Sequence, residues 1–232
     1  MSNEAPLAVV TGSSSGIGLA IARALLAQGW RVLGLDRAAP TLEAAGLRAL
    51  AVDLCDADAL AAAASAASGA SALVHAAGVL RVGRLGELEP EAGELLWRLH
   101  VGAAERLANA LVPAMAARRA GRVVLVGSRV ARGCAGRSQY AGTKAALVAM
   151  ARSWAAELAP CGVTVNVVSP AATATAMLQD PARTSVAPKL TPMGRLIQPE
   201  EVASLVAYLL SPAAAAITGQ DIQVCGGASL EG

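Results

Sequence analysis

Tyr140 and Lys144 stand four residues apart in Tyr140-Ala-Gly-Thr-Lys144, a spacing that puts both on one face of a helix, about one turn apart. A phenol beside an ammonium is a candidate general acid/base. A free tyrosine titrates near pH ~10, and a cation a few ångströms away in a partly dry site stabilises the tyrosinate and draws that value toward neutrality. Tyrosinate then exchanges a proton with an alcohol. Upstream, the apolar run Val123-Val124-Leu125-Val126-Gly127 ends in Ser128, a hydroxyl able to hold the same substrate oxygen. Taken alone, the Tyr/Lys pair also fits an ordinary helix surface.

A second stretch supplies a place for an anion. Thr11-Gly12-Ser13-Ser14-Ser15-Gly16-Ile17-Gly18 follows the short apolar run Leu7 to Thr11 and opens into the helical pattern Leu19, Ile21, Ala22, Leu25, Leu26. Strand, glycine-rich turn and helix form a cradle for a pyrophosphate, with amides from Ser13 to Ile17 aimed at the anion and the positive helix end adding attraction. In this layout Gly12 permits the turn, Gly16 admits phosphate close to backbone, and Gly18 lets the helix lie on the strand. The spacing is Gly-x3-Gly-x-Gly rather than the commoner Gly-x-Gly-x2-Gly. Asp36 ends the next apolar run, Arg31 to Asp36, near the distance expected of a carboxylate that binds a ribose 2′-hydroxyl. Arg37 follows it, and an arginine there can hold a 2′-phosphate, so the pair leaves NAD and NADP both open.

The elements that must position these groups alternate along the chain. Strands are expected at Leu7 to Thr11, Arg31 to Asp36, Leu47 to Val52, Ala72 to His75, Val123 to Ser128, Val163 to Val168 and Ile222 to Val224. Helices are expected after Gly16, from Asp56 to Ala67, from Glu91 to Arg118 with a kink or a break at Pro113, from Ser138 as N-cap to Ala159, and from Pro199 to Leu210. Such alternation without repeats or linkers makes an α/β fold, one doubly wound parallel sheet across residues 1–232. Prolines at 170, 181, 188 and 192 mark an irregular stretch, and residues 172–192 read as a short lid over the substrate.

Composition excludes several classes. The net charge is +2, aromatics make up 2% and Phe is absent, so nothing builds a nucleic-acid stacking surface. No apolar run reaches the ~20 residues of a membrane span, and the first residues lack a signal pattern, which places the protein in the cytoplasm without a membrane partner. Cys55, Cys134, Cys161 and Cys225 are scattered, and with only two histidines no metal site is expected.

Together these stretches resemble the short-chain dehydrogenase/reductase family over nearly the whole chain, from Val9 to Gly227. The Thr11–Gly18 loop resembles its cofactor loop, Ala77-Gly78 the end of its Asn-Asn-Ala-Gly motif, and Ser128, Tyr140 and Lys144 its catalytic residues. Asn166 to Pro170 and Ile217 to Gln220 resemble two later motifs. The resemblance implies a seven-stranded sheet of order 3-2-1-4-5-6-7 and a homotetramer, or a dimer, built through the long helices and the last strand. It implies Tyr140 as acid/base, Ser128 orienting the substrate oxygen, and Lys144 on the nicotinamide ribose while lowering the tyrosine pKa. The implied cofactor contacts are Gly12, Ser14, Ser15, Gly16, Ile17, Gly18, Asp36 and Arg37, then Asp53, Leu54, Ala76, Ala77 and Gly78. Tyr140, Lys144, Pro170, Thr173 and Thr175 complete them. Asp36 with Ser15, where NADP users often carry a basic residue, favours NAD.

Three positions depart from the pattern. His75 and His100 stand where the family usually has asparagines, and Ala171 replaces a glycine after Pro170. The family asparagine at the position of His100 props a helix open for a relay water to Lys144, so His100 is a candidate catalytic relay group, a tolerated substitution, or the mark of a weakened enzyme. The leading expectation is hydride transfer between NAD(H) and a small secondary alcohol or ketone. The alternatives are an NADPH-dependent 3-oxoacyl-thioester reductase and a nucleotide-binding regulatory protein with little turnover.

Overall fold

Short, largely apolar runs form the strands of one parallel sheet in the computed structural model, which describes residues 5–179 and 189–230. The strands are β1 (Leu7–Thr11), β2 (Arg31–Asp36), β3 (Leu47–Ala51), β4 (Ala72–His75), β5 (Gly121–Val126), β6 (Val163–Pro170) and β7 (Asp221–Val224). Their order is β3-β2-β1-β4-β5-β6-β7, as expected, with every pair parallel. The order reverses between β1 and β4, and ligands of such sheets bind in the crevice outside the strand ends at that reversal.

Helices cover both faces, so β4, β5 and β6 are buried on both. Helices α1 (Gly16–Ala27) and α6 (Pro199–Leu210) bury Ile21, Leu25, Val202 and Val206 against one face. On the other face α2 (Ala57–Ser65), α4 (Ala103–Ala117) and α5 (Ser138–Leu158) bury Leu60, Leu107, Met115 and Leu147. No helix among the described residues is long and apolar enough to cross a membrane.

The stretch expected as one helix from Glu91 to Arg118 is built in three parts. Helix α3 (Pro90–Leu96) leads into a π-helical turn, Trp97–Gly102, and then into α4. The Ala103 N–H reaches back five residues to the Arg98 carbonyl, which widens the helix around His100. Pro113 neither ends nor detaches the last turn, since α4 runs through it to Ala117. Pro113 and Asn109 are both exposed, a face on which a carbonyl left without its N–H partner can turn to water. Ser138 is not the cap of α5 either. The Ala141 N–H bonds the Arg137 carbonyl, the helix starts one residue earlier than expected, and no side chain caps it.

The two later motifs meet across the sheet edge. Asn166 Nδ2 donates to the Ile217 carbonyl at 2.7 Å, its Oδ1 accepts the Gln220 N–H at 3.1 Å, and the Val165 N–H bonds Thr218 Oγ1. This clasp sets β7 beside β6. Of the lid, the ends at residues 172–179 and 189–192 are described; Pro181, Arg183 and Pro188 lie outside the described residues.

Candidate active site

The loop after β1 folds as its glycines require. Gly12 adopts φ +69, and a Cβ there would sit 2.9 Å from the Ala77 backbone. A Cβ on Gly18 would strike the Gly12 carbonyl, so α1 lies against the turn only because that side chain is absent. Asp36, at the end of β2, holds this turn from below: one carboxylate oxygen accepts the Ser14 N–H at 3.0 Å and the other accepts the Ala38 N–H at 2.9 Å. Ser14 is therefore drawn down. It is buried, its hydroxyl donates to the Ala38 carbonyl, and it does not line the cleft in which the sequence placed it.

Ser128, Tyr140 and Lys144 meet where β5 ends and α5 begins. Ser128 leaves β5 and caps the short 3-10 turn Arg129–Arg132, its Oγ accepting the Val130 N–H at 3.4 Å. That long bond uses an acceptor site and leaves the hydroxyl proton for another oxygen. Lys144 Nζ lies 5.8 Å from the centre of the Tyr140 ring and donates to the Val126 carbonyl at 2.9 Å. Burial lowers its pKa to about 8, so at neutral pH the group is still a cation.

Beneath them sit the two histidines, each fully buried. Their proton positions follow from counting partners. Thr11 Oγ1 accepts the N–H groups of Ala76 and Ala77, at 3.1 and 3.0 Å, so its own proton goes to His75 Nδ1 at 3.0 Å. The ring proton of His75 is thus on Nε2, which makes no hydrogen bond of good geometry among the described residues and feels the Leu99 and His100 carbonyls only loosely. His100 Nε2 accepts the Val79 N–H at 3.1 Å, so Nδ1 carries the proton and donates to Thr143 Oγ1 at 2.9 Å, and Thr143 donates on to the Tyr140 carbonyl. The His100 ring also meets the Tyr140 ring edge-on, with centres 5.5 Å apart. His100, a candidate relay group in the sequence, does not line the cleft, and both ring nitrogens are engaged by protein.

Thr11 and Thr143 were not singled out from the sequence. Their only signal there was position, one at the strand end before Gly12 and one beside Lys144. Thr143→Val should lower the unfolding free energy by about 1–3 kcal/mol, because a buried N–H of His100 loses its acceptor. Urea denaturation measures this, and an unchanged midpoint would refute the bond.

A single cleft of about 800 Å³ joins these groups. It runs past Gly12, Ser15 to Gly18, Asp36, Arg37, Asp53 and Leu54, then Ala76 to Gly78, and reaches Ser128, Tyr140, Lys144, Pro170, Thr173 and Thr175. Every expected site residue except Ser14 and His100 lines it. Ala171, in place of a glycine, keeps an ordinary negative φ and bonds the Val224 carbonyl. The elongated shape, with a glycine cradle at one end and Tyr140 at the other, fits a dinucleotide. Among the described residues no His/Cys/Asp/Glu cluster offers a metal site.

Comparison with known proteins agrees with this layout. A family described as "Enoyl-(Acyl carrier protein) reductase" matches residues 12–229. The chain is 35% identical to a 3-oxoacyl-[acyl-carrier-protein] reductase of Vibrio cholerae, over 98% of each chain. It is 36% identical to a galactitol 2-dehydrogenase (L-tagatose-forming) of Cereibacter sphaeroides, over 95% of this chain and 93% of that one. Among solved structures, an actinorhodin polyketide ketoreductase with NADPH superposes with a TM-score of 0.89 at 29% identity, covering 98% of each chain.

Proposed function

The chain belongs to the short-chain dehydrogenase/reductase family, oxidoreductases that act on CH–OH groups, and on that premise we propose that it interconverts a small secondary alcohol and its ketone with NAD(H), using Tyr140 as acid/base. The observation that carries this reading is one cleft joining the Gly12–Gly18 cradle to Ser128, Tyr140 and Lys144. The nicotinamide cofactor, when bound, supplies the hydride acceptor or donor. The loop amides would hold its pyrophosphate, Asp36 its adenosine ribose and Lys144 its nicotinamide ribose. Ser128 donates its hydroxyl proton to the substrate oxygen and fixes it. Tyr140 takes the alcohol proton in oxidation and returns it in reduction, with the Lys144 cation favouring its ionised form. His100 acts as a positioning residue, joining the backbone at Val79 to the turn of α5 that carries Tyr140.

NAD is the preferred cofactor in this reading. Asp36 lines the cleft where a 2′-phosphate would sit, and two like charges there cost on the order of 1 kcal/mol, about fivefold in kcat/KM. Rates followed by NADH and NADPH absorbance on a panel of secondary alcohols and ketones test both points. Equal or better use of NADP would overturn the preference and give Arg37 the deciding weight; no turnover with either cofactor would overturn the enzymatic reading. The alternative, NADPH-dependent reduction of a 3-oxoacyl thioester, draws support from the Vibrio cholerae relative and the NADPH-containing ketoreductase; acetoacetyl thioesters in the same panel decide it. We further place the protein in the cytoplasm, consistent with four unpaired cysteines, as a homotetramer formed through the long helices and the half-buried edge strand β7.

A further inference from the structure

The cleft is not evenly charged. Among the described residues its only acidic lining side chains, Asp36 and Asp53, belong to the cradle end. Besides Arg37 and Arg98, the other charged lining side chains among the described residues are Arg81, Arg129, Arg137, Lys144 and Lys189, all cationic. The whole chain is nearly balanced, with Lys+Arg 19 against Asp+Glu 17, so this segregation is local.

Their placement is built into the backbone. Arg129 follows Ser128 directly, and its Nη1 makes only a long 3.5 Å bond, to the Ala228 carbonyl. Arg137 stands at the start of α5, three residues before Tyr140. The Gly83 N–H bonds the Gly136 carbonyl at 2.9 Å, and Gly83 bridges to Arg137, which fastens the loop carrying Arg81 beside it. All three arginines are half-buried, and neither Arg129 nor Arg137 pairs with a carboxylate among the described residues. Val79, Leu80, Val130 and Met177 line the same cleft and add apolar surface to it. A half-buried guanidinium without a counter-ion is incompletely compensated, and its planar fork matches the two oxygens of a carboxylate or phosphate.

We propose that the substrate of this site is anionic: an alcohol or ketone bearing an oxyanion group, carboxylate or phosphate, that Arg129 and Arg137 hold while Ser128 and Tyr140 address its hydroxyl or carbonyl. This rests on the alcohol/ketone reading above. The cofactor's own phosphates do not account for the cluster, since their cradle is the Gly12–Gly18 loop at the other end.

The test compares 3-hydroxycyclohexanecarboxylate with its methyl ester, and acetoacetyl-coenzyme A with the neutral acetoacetyl-N-acetylcysteamine. Wild-type enzyme should favour the anionic member of at least one pair by about ten- to a hundredfold in kcat/KM, the range set by a charged hydrogen bond. In Arg129→Gln and Arg137→Gln that ratio should fall toward one, while Arg84→Gln, on the exposed part of the loop, keeps it. Preference within the acid pair assigns a substrate carboxylate; preference within the thioester pair assigns a carrier phosphate. Equal use of charged and neutral members, unchanged by the substitutions, overturns the proposal and leaves the oxidoreductase reading standing. If nothing turns over, calorimetric titration of the NAD complex with cyclohexanecarboxylate and with inorganic phosphate still decides it. Binding weakened about tenfold in both Arg variants supports the site, and binding that is absent or unchanged overturns it.

Discussion

Tyr140→Phe should lower kcat by roughly 10²- to 10⁴-fold, the range of general acid–base catalysis, with NADH affinity nearly unchanged. The ring is kept in place from two sides that phenylalanine preserves: its edge-on meeting with His100 at 5.5 Å and its approach to Lys144 at 5.8 Å. The substitution therefore removes the hydroxyl and little else. Stopped-flow or steady-state NADH absorbance gives kcat, and quenching of protein fluorescence gives NADH binding. Retention of more than about a tenth of the activity, below the expected range, would take the acid/base role away from Tyr140. A parallel loss of NADH binding would mean that the ring, not the proton, matters.

Acid should destabilise the fold steeply well above the range in which most carboxylates titrate. Burial first, then the Lys144 charge, lowers the pKa of His75 to about 3, with the Leu99 and His100 carbonyls opposing in part. Burial, Lys144 and His75, in that order, lower His100 in the same direction. In the unfolded chain both rings take up a proton near the ordinary imidazole value of 6.5, and in the folded chain neither does. The unfolded state then binds more protons, so stability is full above about pH 6.5 and falls as pH drops toward the folded values. The slope is about 1.4 kcal/mol per pH unit for each histidine, or about 2.7 for both. Lys144 is cationic in both states across this window and adds nothing, and the depressed Glu201 acts only below the ordinary carboxylate value of 4.5. Guanidinium unfolding at pH 7, 6 and 5 measures the slope, and His100→Asn should halve it. A flat profile between pH 7 and 5 would show that the histidines are protonated in the native state.

Much of this was legible because the determinants are local. Gly12 and Gly18 are demanded by the turn itself, and the Ser128, Tyr140 and Lys144 spacing follows from one strand end and one helix face. The alternation of apolar runs was enough for one doubly wound parallel sheet, and the family resemblance supplied the strand order. What escaped depends on partners far along the chain. Ser14 reads as a phosphate ligand until the Asp36 carboxylate, twenty-two residues on, takes its amide. Thr11 and Thr143 are ordinary threonines until the imidazoles of His75 and His100 are brought against them. The π turn at Trp97–Gly102 carries the same apolar periodicity as an α-helix, and only the packing of His100 against Val79 and Thr143 distinguishes it. A break at Pro113 was overread because a freed carbonyl on a wet face needs no protein partner.

The two buried rings make the protein its own spectroscopic probe. The chain contains only two histidines, and both lie beneath Tyr140 and Lys144, so a sample enriched with ¹⁵N at histidine alone has every imidazole resonance arising from the reaction centre. The partner count assigns opposite tautomers, Nε2–H for His75 and Nδ1–H for His100, so the two rings should give mirror-image patterns of protonated and bare nitrogen shifts. Cofactor or substrate entering the cleft would move those four signals against an empty background, with no label attached and no residue replaced.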